Sequence, residues 1–434
     1  MTPIPPIAAA AMSDTETTLM LALLLLCPLA IAGVALINTG LGRSRSAAQA
    51  LVGSLALAAV AVIVFALVGA AFAGGGPGGW GLAVHTGGVA WEFLHVGPLF
   101  LRGLAAATPQ AQLAVLFEFF SVAFVAIIPW GSGADRWRLA AGCGVAAVVA
   151  AIVFPLAAHW AWGGGWLAQL GANFGLGAGF LDAGGAGSIH LLGGLCALAV
   201  VWLAGPRRGK FPREGLSTAM PGHSGVYVLF GCMVALVGWL AWNAAGAILW
   251  LRAPLSALPI VAINTLLSAS GALVTTLLVT RFRFGKPDAS LCANGWLAGL
   301  VASSACAAIV SPIASLFIGA AAGLFTPLLV ELLELALSID DPSGAVTVHG
   351  AAGLWGLLAA GIFAPQAGQL TAQLVGIAAL LGLMLPLVYF LFTILNRIVP
   401  FRVDPDGERI GMDLHELGGG AYPEFVIHRD ESFR

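Results

Sequence analysis

Gly187-Ser188-Ile189-His190-Leu191-Leu192-Gly193-Gly194-Leu195 and Val346-Thr347-Val348-His349-Gly350-Ala351-Ala352-Gly353-Leu354 read as two copies of one pattern, set far apart in the chain. In each, a small hydroxyl residue and a β-branched residue precede a His, and a Gly-Leu pair follows it four and five residues later. Each His also has an Asp eight residues before it, Asp182 and Asp341. Both copies sit in long apolar segments. An ionisable side chain inside a bilayer is costly and marks a pathway or a site, so a matched pair of histidines calls for one explanation.

Composition sets the medium. Charged residues make up 9% of the 434 and hydrophobic residues 59%, against roughly 25% charged in a soluble domain. The mean hydropathy is +0.97, and apolar runs of about twenty residues recur from end to end. These features exclude a soluble protein and indicate an all-α polytopic membrane protein. The 58 glycines suit close helix packing in lipid. Cys27, Cys143, Cys196, Cys232, Cys292 and Cys306 are scattered without a CxxC and read as small buried hydrophobes, so neither a disulfide nor a metal cluster is expected. The N-terminus carries no Lys or Arg before its apolar part, which gives little support for a cleaved signal peptide; Met12 is an alternative start.

Eleven spans fit, at about 18–38, 47–73, 111–132, 138–159, 183–204, 222–244, 255–281, 289–310, 312–337, 343–364 and 371–398. With the N-terminus outside, sixteen of the 18 basic residues fall on the cytoplasmic side and only Arg102 and Arg252 on the other. That asymmetry follows the positive-inside rule. The chain therefore divides into an extracytoplasmic segment 1–17, a membrane domain 18–398 and a cytoplasmic tail 399–434. The fifth and tenth spans carry the two histidines and enter from opposite faces, the pattern of two inverted five-helix repeats plus an extra helix. Asp182 falls at a helix start, and Asp341 precedes Pro342, a good first-turn residue. Eight residues at about 1.5 Å put each His roughly 12 Å below its Asp, which in a core of about 30 Å brings both near the midplane. His190 and His349 are thus expected to meet.

These stretches resemble the Amt/Mep/Rh ammonium transporter family, specifically its Amt branch. The resemblance rests on Phe180-Leu181-Asp182-Ala183-Gly184-Gly185-Ala186-Gly187-Ser188-Ile189-His190 and on Asp340-Asp341-Pro342 through Val348-His349-Gly350. Supporting stretches are His159-Trp160-Ala161-Trp162-Gly163-Gly164-Gly165, Gly238-Trp239-Leu240-Ala241-Trp242-Asn243-Ala244, Gly285-Lys286-Pro287, Asn294-Gly295, Ala298-Gly299-Leu300-Val301 and Gly411-Met412-Asp413. The resemblance implies a homotrimer in the inner (plasma) membrane, with an ammonium or ammonia pore through each subunit. It implies no enzyme activity, no cofactor or metal and no nucleic-acid partner. PII-type signalling proteins that block the pore are implied as partners at the basic face, where Arg207 to Arg213 and the tail otherwise serve topology alone.

By this resemblance His190 and His349 are the twin pore histidines. Two cationic rings side by side would repel, so at least one is expected neutral, and a hydrogen-bonded pair would leave an edge toward a narrow lumen. Asp182 and Trp162 would form an outer ammonium site, the first by binding a cation or capping its helix, the second by offering a π-face or by anchoring at the interface. His159, Trp160 and Trp166 read as interface anchors. Asn243 would cap or link helices.

Four positions depart from the family pattern, all toward the outer entrance. The first of two gating Phe rings falls at Ser121, or at Phe120 with a one-residue gap, and the second falls at Trp242. A Ser of the outer site is Gly246, and a Gln one turn before the first Phe is Glu118. Compensated drift is one explanation. Altered recruitment of ammonium, with changed discrimination against methylammonium and alkali ions, is the other. A membrane ammonium sensor of the same fold that conducts poorly, and a haem protein ligated by His190 and His349, are the competing functional classes.

Overall fold

The computed structural model describes residues 12–74, 79–86, 88–214 and 217–422. The expected N-terminal segment up to residue 11 and the tail beyond 422, with Arg429 and Arg434, lie outside the described residues. Within them the eleven spans are helices: α1 Asp14–Leu41, α2 Ser44–Ala73, α3 Pro109–Ser132, α4 Leu139–Ala161, α5 Ala186–Ala204, α6 Gly225–Leu251, α7 Leu255–Phe284, α8 Ala289–Ser303, α9 Pro312–Leu335, α10 Val346–Phe363 and α11 Gln369–Ile398. Ten are long and apolar enough to cross a membrane, and α8 is shorter. The expected eighth span, 289–310, loses its last turns. Asn264 of α7 donates to the carbonyls of Ala307 and Val310 at 2.8 Å each, satisfying groups that a continuing helix would have paired.

Local sequence explains where helices begin. The side chains of Thr108, Ser224, Asp288 and Ser311 each accept a backbone N–H in the first turn that follows. Pro109 and Pro312 occupy the first helical position, where no N–H is needed. Inside lipid every backbone group must pair within the protein, so helices are the default. The expectation of an all-α chain misses one feature. Between α2 and α3 a two-stranded antiparallel hairpin forms, β1 Trp80–Thr86 with β2 Val89–Val96, in register Trp80 to Val96 and with a bulge at Leu82/Ala83.

The two repeats pack through matched contacts. α1 crosses α6 where a side chain on Gly33 or Gly238 would overlap the backbone of the other helix. α5 crosses α10 at Gly194, where a Cβ would overlap the backbone nitrogen of Gly350. Backbones this close gain dispersion contacts that lipid tails cannot match. α3 and α5 are the most enclosed spans, while α2 and α11 present most of their surface outward.

The ends of the bundle differ. One end carries the hairpin. At the other, Arg207 between α5 and α6 holds Asp340 before α10 by two hydrogen bonds of 2.9 Å, and reaches Asp135 after α3 at 3.1 Å. Arg136 joins them, donating to the carbonyls of Asp340 at 2.8 Å and Gly205 at 2.7 Å. Lys210 pairs with Glu334 at 2.7 Å. The chain beyond α11 lies across this basic face. Asp413 accepts the backbone N–H of Ala48 and Gln49, Glu416 accepts that of Leu139, and Arg402 pairs with Glu408. Arg207 and Lys210 are therefore interior and paired, while Arg208 and Arg213 of that basic loop stay exposed.

Burial alone would push the Asp340 carboxyl up, but the Arg207 hydrogen bonds and the charges of Arg136 and Arg207 outweigh it and hold the group at about 2, below its ordinary 3.8. A depressed carboxyl stabilises the fold above pH 4 and loses that contribution as pH falls through 2. The loss amounts to about 2 kcal/mol. Thermal unfolding of the protein in detergent should be level above pH 4 and fall between pH 4 and 2. Asp340→Asn should remove that step and lower the midpoint at neutral pH, because Arg207 is left buried without its main partner.

Candidate functional site

The two repeated segments fold alike. His190 lies in a π-helical turn, Ala186–Leu191, at the start of α5, and His349 in its counterpart, Val346–Ala351, at the start of α10. Each Asp accepts backbone N–H groups of the turn ahead of it. Asp182 takes Gly187 and Ser188 at 2.9 and 2.7 Å. Asp341 takes Val346 at 2.8 Å and the Ser132 hydroxyl at 2.7 Å. Both carboxylates thus act as caps, using the favourable field of a helix start.

From opposite ends the turns bring their histidines together. Nδ1 of His349 lies 3.2 Å from Nδ1 of His190, both rings fully enclosed, with centroids 5.2 Å apart and planes 25° apart. An Nδ1–Nδ1 hydrogen bond requires one protonated and one bare nitrogen. Both Nε2 edges remain outside that bond. His190 is also stacked on Trp239 at 5.0 Å and 14°. Trp239 is fixed by its indole N–H to Ser304 Oγ at 3.0 Å. Phe124 meets both histidines edge-on, at 5.2 and 6.2 Å.

Toward the hairpin face a column of rings continues. Phe124 touches Trp242 at 5.4 Å, Trp242 touches Phe117 at 5.4 Å, and Phe117 touches Trp162 and Trp250 at 5.5 and 5.8 Å. Trp162 and Trp250 are stacked, 5.2 Å apart and 2° from parallel. The indole N–H of Trp162 donates to the Asp182 carbonyl at 2.8 Å, which turns its ring and ties it to the α5 cap.

The expected residues fall into place unevenly. Trp162, Asp182, Trp242 and the two histidines belong to this column or its cap. Gly246 packs on Ala183, and a side chain there would overlap the Ala183 carbonyl, so α6 approaches the segment after Asp182 through bare backbone. Ser121 is buried and turns its hydroxyl back to the Phe117 carbonyl at 2.8 Å. Phe120 is half-buried against the general core. The rings that meet Trp242 are instead Phe117 and Phe124, one turn on either side of Ser121. Their spacing of i, i+4, i+7 with Ser121 marks one helix face, a signal present in the sequence. Trp239 and Trp250 lie one turn before and two turns after Trp242 and carry the same signal.

Glu118 is fully buried, and neither carboxyl oxygen has a hydrogen-bond partner among the described residues. His159, Trp160 and Trp166 are not interface anchors, because all three are buried. The Trp160 indole N–H donates to the Phe93 carbonyl at 2.8 Å, and the Trp166 backbone N–H to the Glu92 carbonyl at 3.0 Å, so they seat the hairpin. Asn243 links helices, donating to Thr265 of α7 and Ser303 of α8.

The model of the Ammonium Transporter Family matches residues 17–422. The chain belongs to the ammonium transporter family. It is 34% identical over 422 residues to ammonium transporter Amt2 of Archaeoglobus fulgidus, covering 92% of this chain and 86% of the relative. Amt2 of Haloferax mediterranei is 30% identical, covering 91% of this chain and 87% of its own length. A solved "Sensor Amt Protein" superposes with a TM-score of 0.82 at 26% identity, covering 92% of this chain and 97% of that one. Candida albicans Mep2 shares the fold, with a TM-score of 0.76 at 24% identity, 95% of this chain and 91% of that one being covered. Family and fold support ammonium transport, and this is a family of transporters rather than enzymes.

Because the histidines meet beside the Gly194 crossing, their contact depends on helix separation. Gly194→Ala must push α5 and α10 apart, at a cost of about 1–3 kcal/mol. A Cβ on Gly350 would lie 3.6 Å from the Gly194 Cα, an ordinary contact. Gly350→Ala should therefore unfold close to the wild-type temperature, and Gly194→Ala several degrees lower.

Proposed function

We propose that the protein carries ammonium across the membrane along the ring column, from the hairpin face to the His190–His349 pair and on to the basic face. The single observation that supports this most is the Nδ1–Nδ1 contact of 3.2 Å between histidines on oppositely inserted helices. Such a pair presents donor and acceptor edges deep in an apolar bundle, which suits a small amine and offers an alkali ion nothing in place of its water. Above it, Trp162, Phe117 and Trp250 supply π-faces for a cation at the outer site, a contact worth about 2 kcal/mol once desolvated. Asp182 orients this box through its carbonyl. Trp242 acts as the gate beneath it, with Ser121 and Phe120 behind, and Gly246 and Glu118 complete the outer site.

In this reading the protein is a multi-pass plasma-membrane homotrimer with its basic face, 399–434 included, in the cytoplasm and segment 1–17 outside. A PII-type partner would meet Arg208 and Arg213 there, since Arg207 and Lys210 are spent on internal carboxylates. Reconstituted in liposomes, the wild type should give an ammonium-evoked current or ammonia flux above that of empty vesicles. His190→Ala and His349→Ala should each reduce it at least about tenfold, the equivalent of one lost hydrogen bond in an apolar site. Unchanged transport and pH dependence in the double variant would refute the role of the pair.

A second reading, an ammonium sensor that conducts poorly, is favoured by the similarity to the solved sensor protein and by the departures at Glu118, Ser121, Trp242 and Gly246. It requires ammonium to quench tryptophan fluorescence in the outer box while the vesicles show no flux.

A further inference from the structure

Asn38 and Asn243 hold the same place in the two repeats. Each lies five residues after the glycine at which α1 and α6 cross, Gly33 and Gly238. In the second repeat the amide is used inside the protein, since Nδ2 of Asn243 donates to Thr265 Oγ1 at 2.9 Å and to Ser303 Oγ at 3.0 Å. In the first repeat Nδ2 of Asn38 is enclosed and has no partner among the described residues. Asn38 lines a cavity at the basic face, walled by α1, the start of α2, the end of α3 and the turn that follows it. Two more polar atoms of that lining are enclosed and unpartnered, Ser46 Oγ and the Trp137 indole N–H. All three residues are 5% exposed or less.

The lining selects its occupant. An Asn Nδ2 and an indole Nε1 only donate hydrogen bonds, whereas a Ser hydroxyl does either. The occupant must therefore accept two bonds, from Asn38 and from Trp137. Ammonium has no lone pair and ammonia has one, so neither meets both donors. A halide would accept from all three groups, but the Asp135 carboxylate lines the same cavity and repels an anion. Water has two lone pairs for the donors and two O–H groups to give, to Ser46 and to Asp135. Asp135 takes the Arg43 N–H on one oxygen and the Arg207 guanidinium on the other, which leaves it the capacity for a third bond. The cavity measures about 10 Å³, the room of a single water.

We infer that one buried water is a fixed part of the first repeat, joining Asn38, Ser46, Trp137 and Asp135 where the second repeat uses hydroxyls of its own. Left unpaired, the two buried donors would each cost stability, and one molecule relieves both. Gln49 lines the same cavity. Its side chain donates to the Trp137 carbonyl at 3.0 Å and to Glu416 at 3.1 Å, and its backbone N–H to Asp413 at 2.8 Å. The chain beyond α11 is thus seated over a hydrated joint between α1, α2 and α3. The inference concerns this joint and stands apart from the transport reading.

The test uses the full-length protein. Asn38→Leu keeps nearly the same volume, and Ser46→Ala loses only a hydroxyl. If both groups bond one water, each variant should melt about 1–2 °C lower in detergent. The double variant should then lose clearly less than the sum, because the second deletion falls on a water that already lacks a partner. Additive losses would overturn the shared water. So would melting at or above the wild-type temperature in either single variant, the result expected when a buried polar group with no partner is removed. Crystals of the wild type should show one density peak about 2.7–3.2 Å from Asn38 Nδ2, Ser46 Oγ and Trp137 Nε1, without anomalous signal after chloride is exchanged for bromide. No peak, or an anomalous bromide peak, would overturn the assignment even if neither variant folds.

Discussion

The crossing of α5 and α10 at Gly194 and Gly350 is the contact on which the centre depends. A side chain at Gly194 would occupy the Gly350 backbone, so the two helices approach as closely as bare peptide allows. His349 immediately precedes Gly350, and His190 lies one helical turn before Gly194. The close approach at Gly194 therefore sets the separation of both histidines, and their 3.2 Å contact follows from the crossing distance. Neither the ring column nor the caps could impose that distance alone. Aromatic contacts tolerate small shifts of their rings, whereas a backbone packed on a backbone does not.

A crossing of this kind needs its ends pinned, because both helices start within the protein rather than at a free surface. Asp182 and Asp341 do this by the same device, accepting N–H groups five residues ahead while the chain between them turns at a left-handed glycine, Gly185 or Gly344. The π-helical turns that follow widen the spiral at the two histidines. At the basic face Arg207 and Arg136 lock the loop before α10 to the loops after α3 and α5. This places a cluster of charges where the starts of α4, α6 and α10 must stay in register, and the chain beyond α11 adds Asp413 and Glu416 to the same surface. The hairpin face is held differently, by the Trp160 indole and the Trp166 backbone N–H, both donated to carbonyls of β2. Few ionic contacts are used there.

Much of this was legible in the sequence because it is carried by periodicity and repetition. Span positions follow from apolar runs, and the meeting of His190 with His349 follows from duplicated spacing on helices of opposite direction. The capping roles of Asp182 and Asp341 follow from their place before Gly- and Pro-containing turns. What stayed hidden depends on neighbours distant in the chain. The hairpin could not be read from a Gly- and Trp-rich loop whose apolar residues, such as Trp80, Leu82 and Val84, face outward. His159, Trp160 and Trp166 looked like residues of a membrane interface because nothing in their own segment shows that β2 covers them. The chain leaves the helix after Ser303, and Asn264, on another helix, pairs the carbonyls of Ala307 and Val310 in the segment that follows. Phe117 and Phe124, the rings that meet Trp242, share a helix face with Ser121, while Phe120 packs against the general core, a difference set by contacts across helices rather than by position along α3.

The outer half of the column shows how such departures remain compatible with the fold. Where the family resemblance implies two Phe rings, Ser121 on α3 is small and Trp242 on α6 regains only part of the lost volume. Phe117 and Phe124, one turn to either side of Ser121, close on Trp242, as a close-packed interior requires. The exchange is chemically unequal. Two phenyl rings present only faces and edges, whereas an indole adds an N–H, and here that N–H has no protein partner. Glu118, one residue after Phe117, adds an acceptor without a partner to the same region. Packing alone would not retain either group, because burying an unpaired polar atom costs more than any apolar replacement of the same shape.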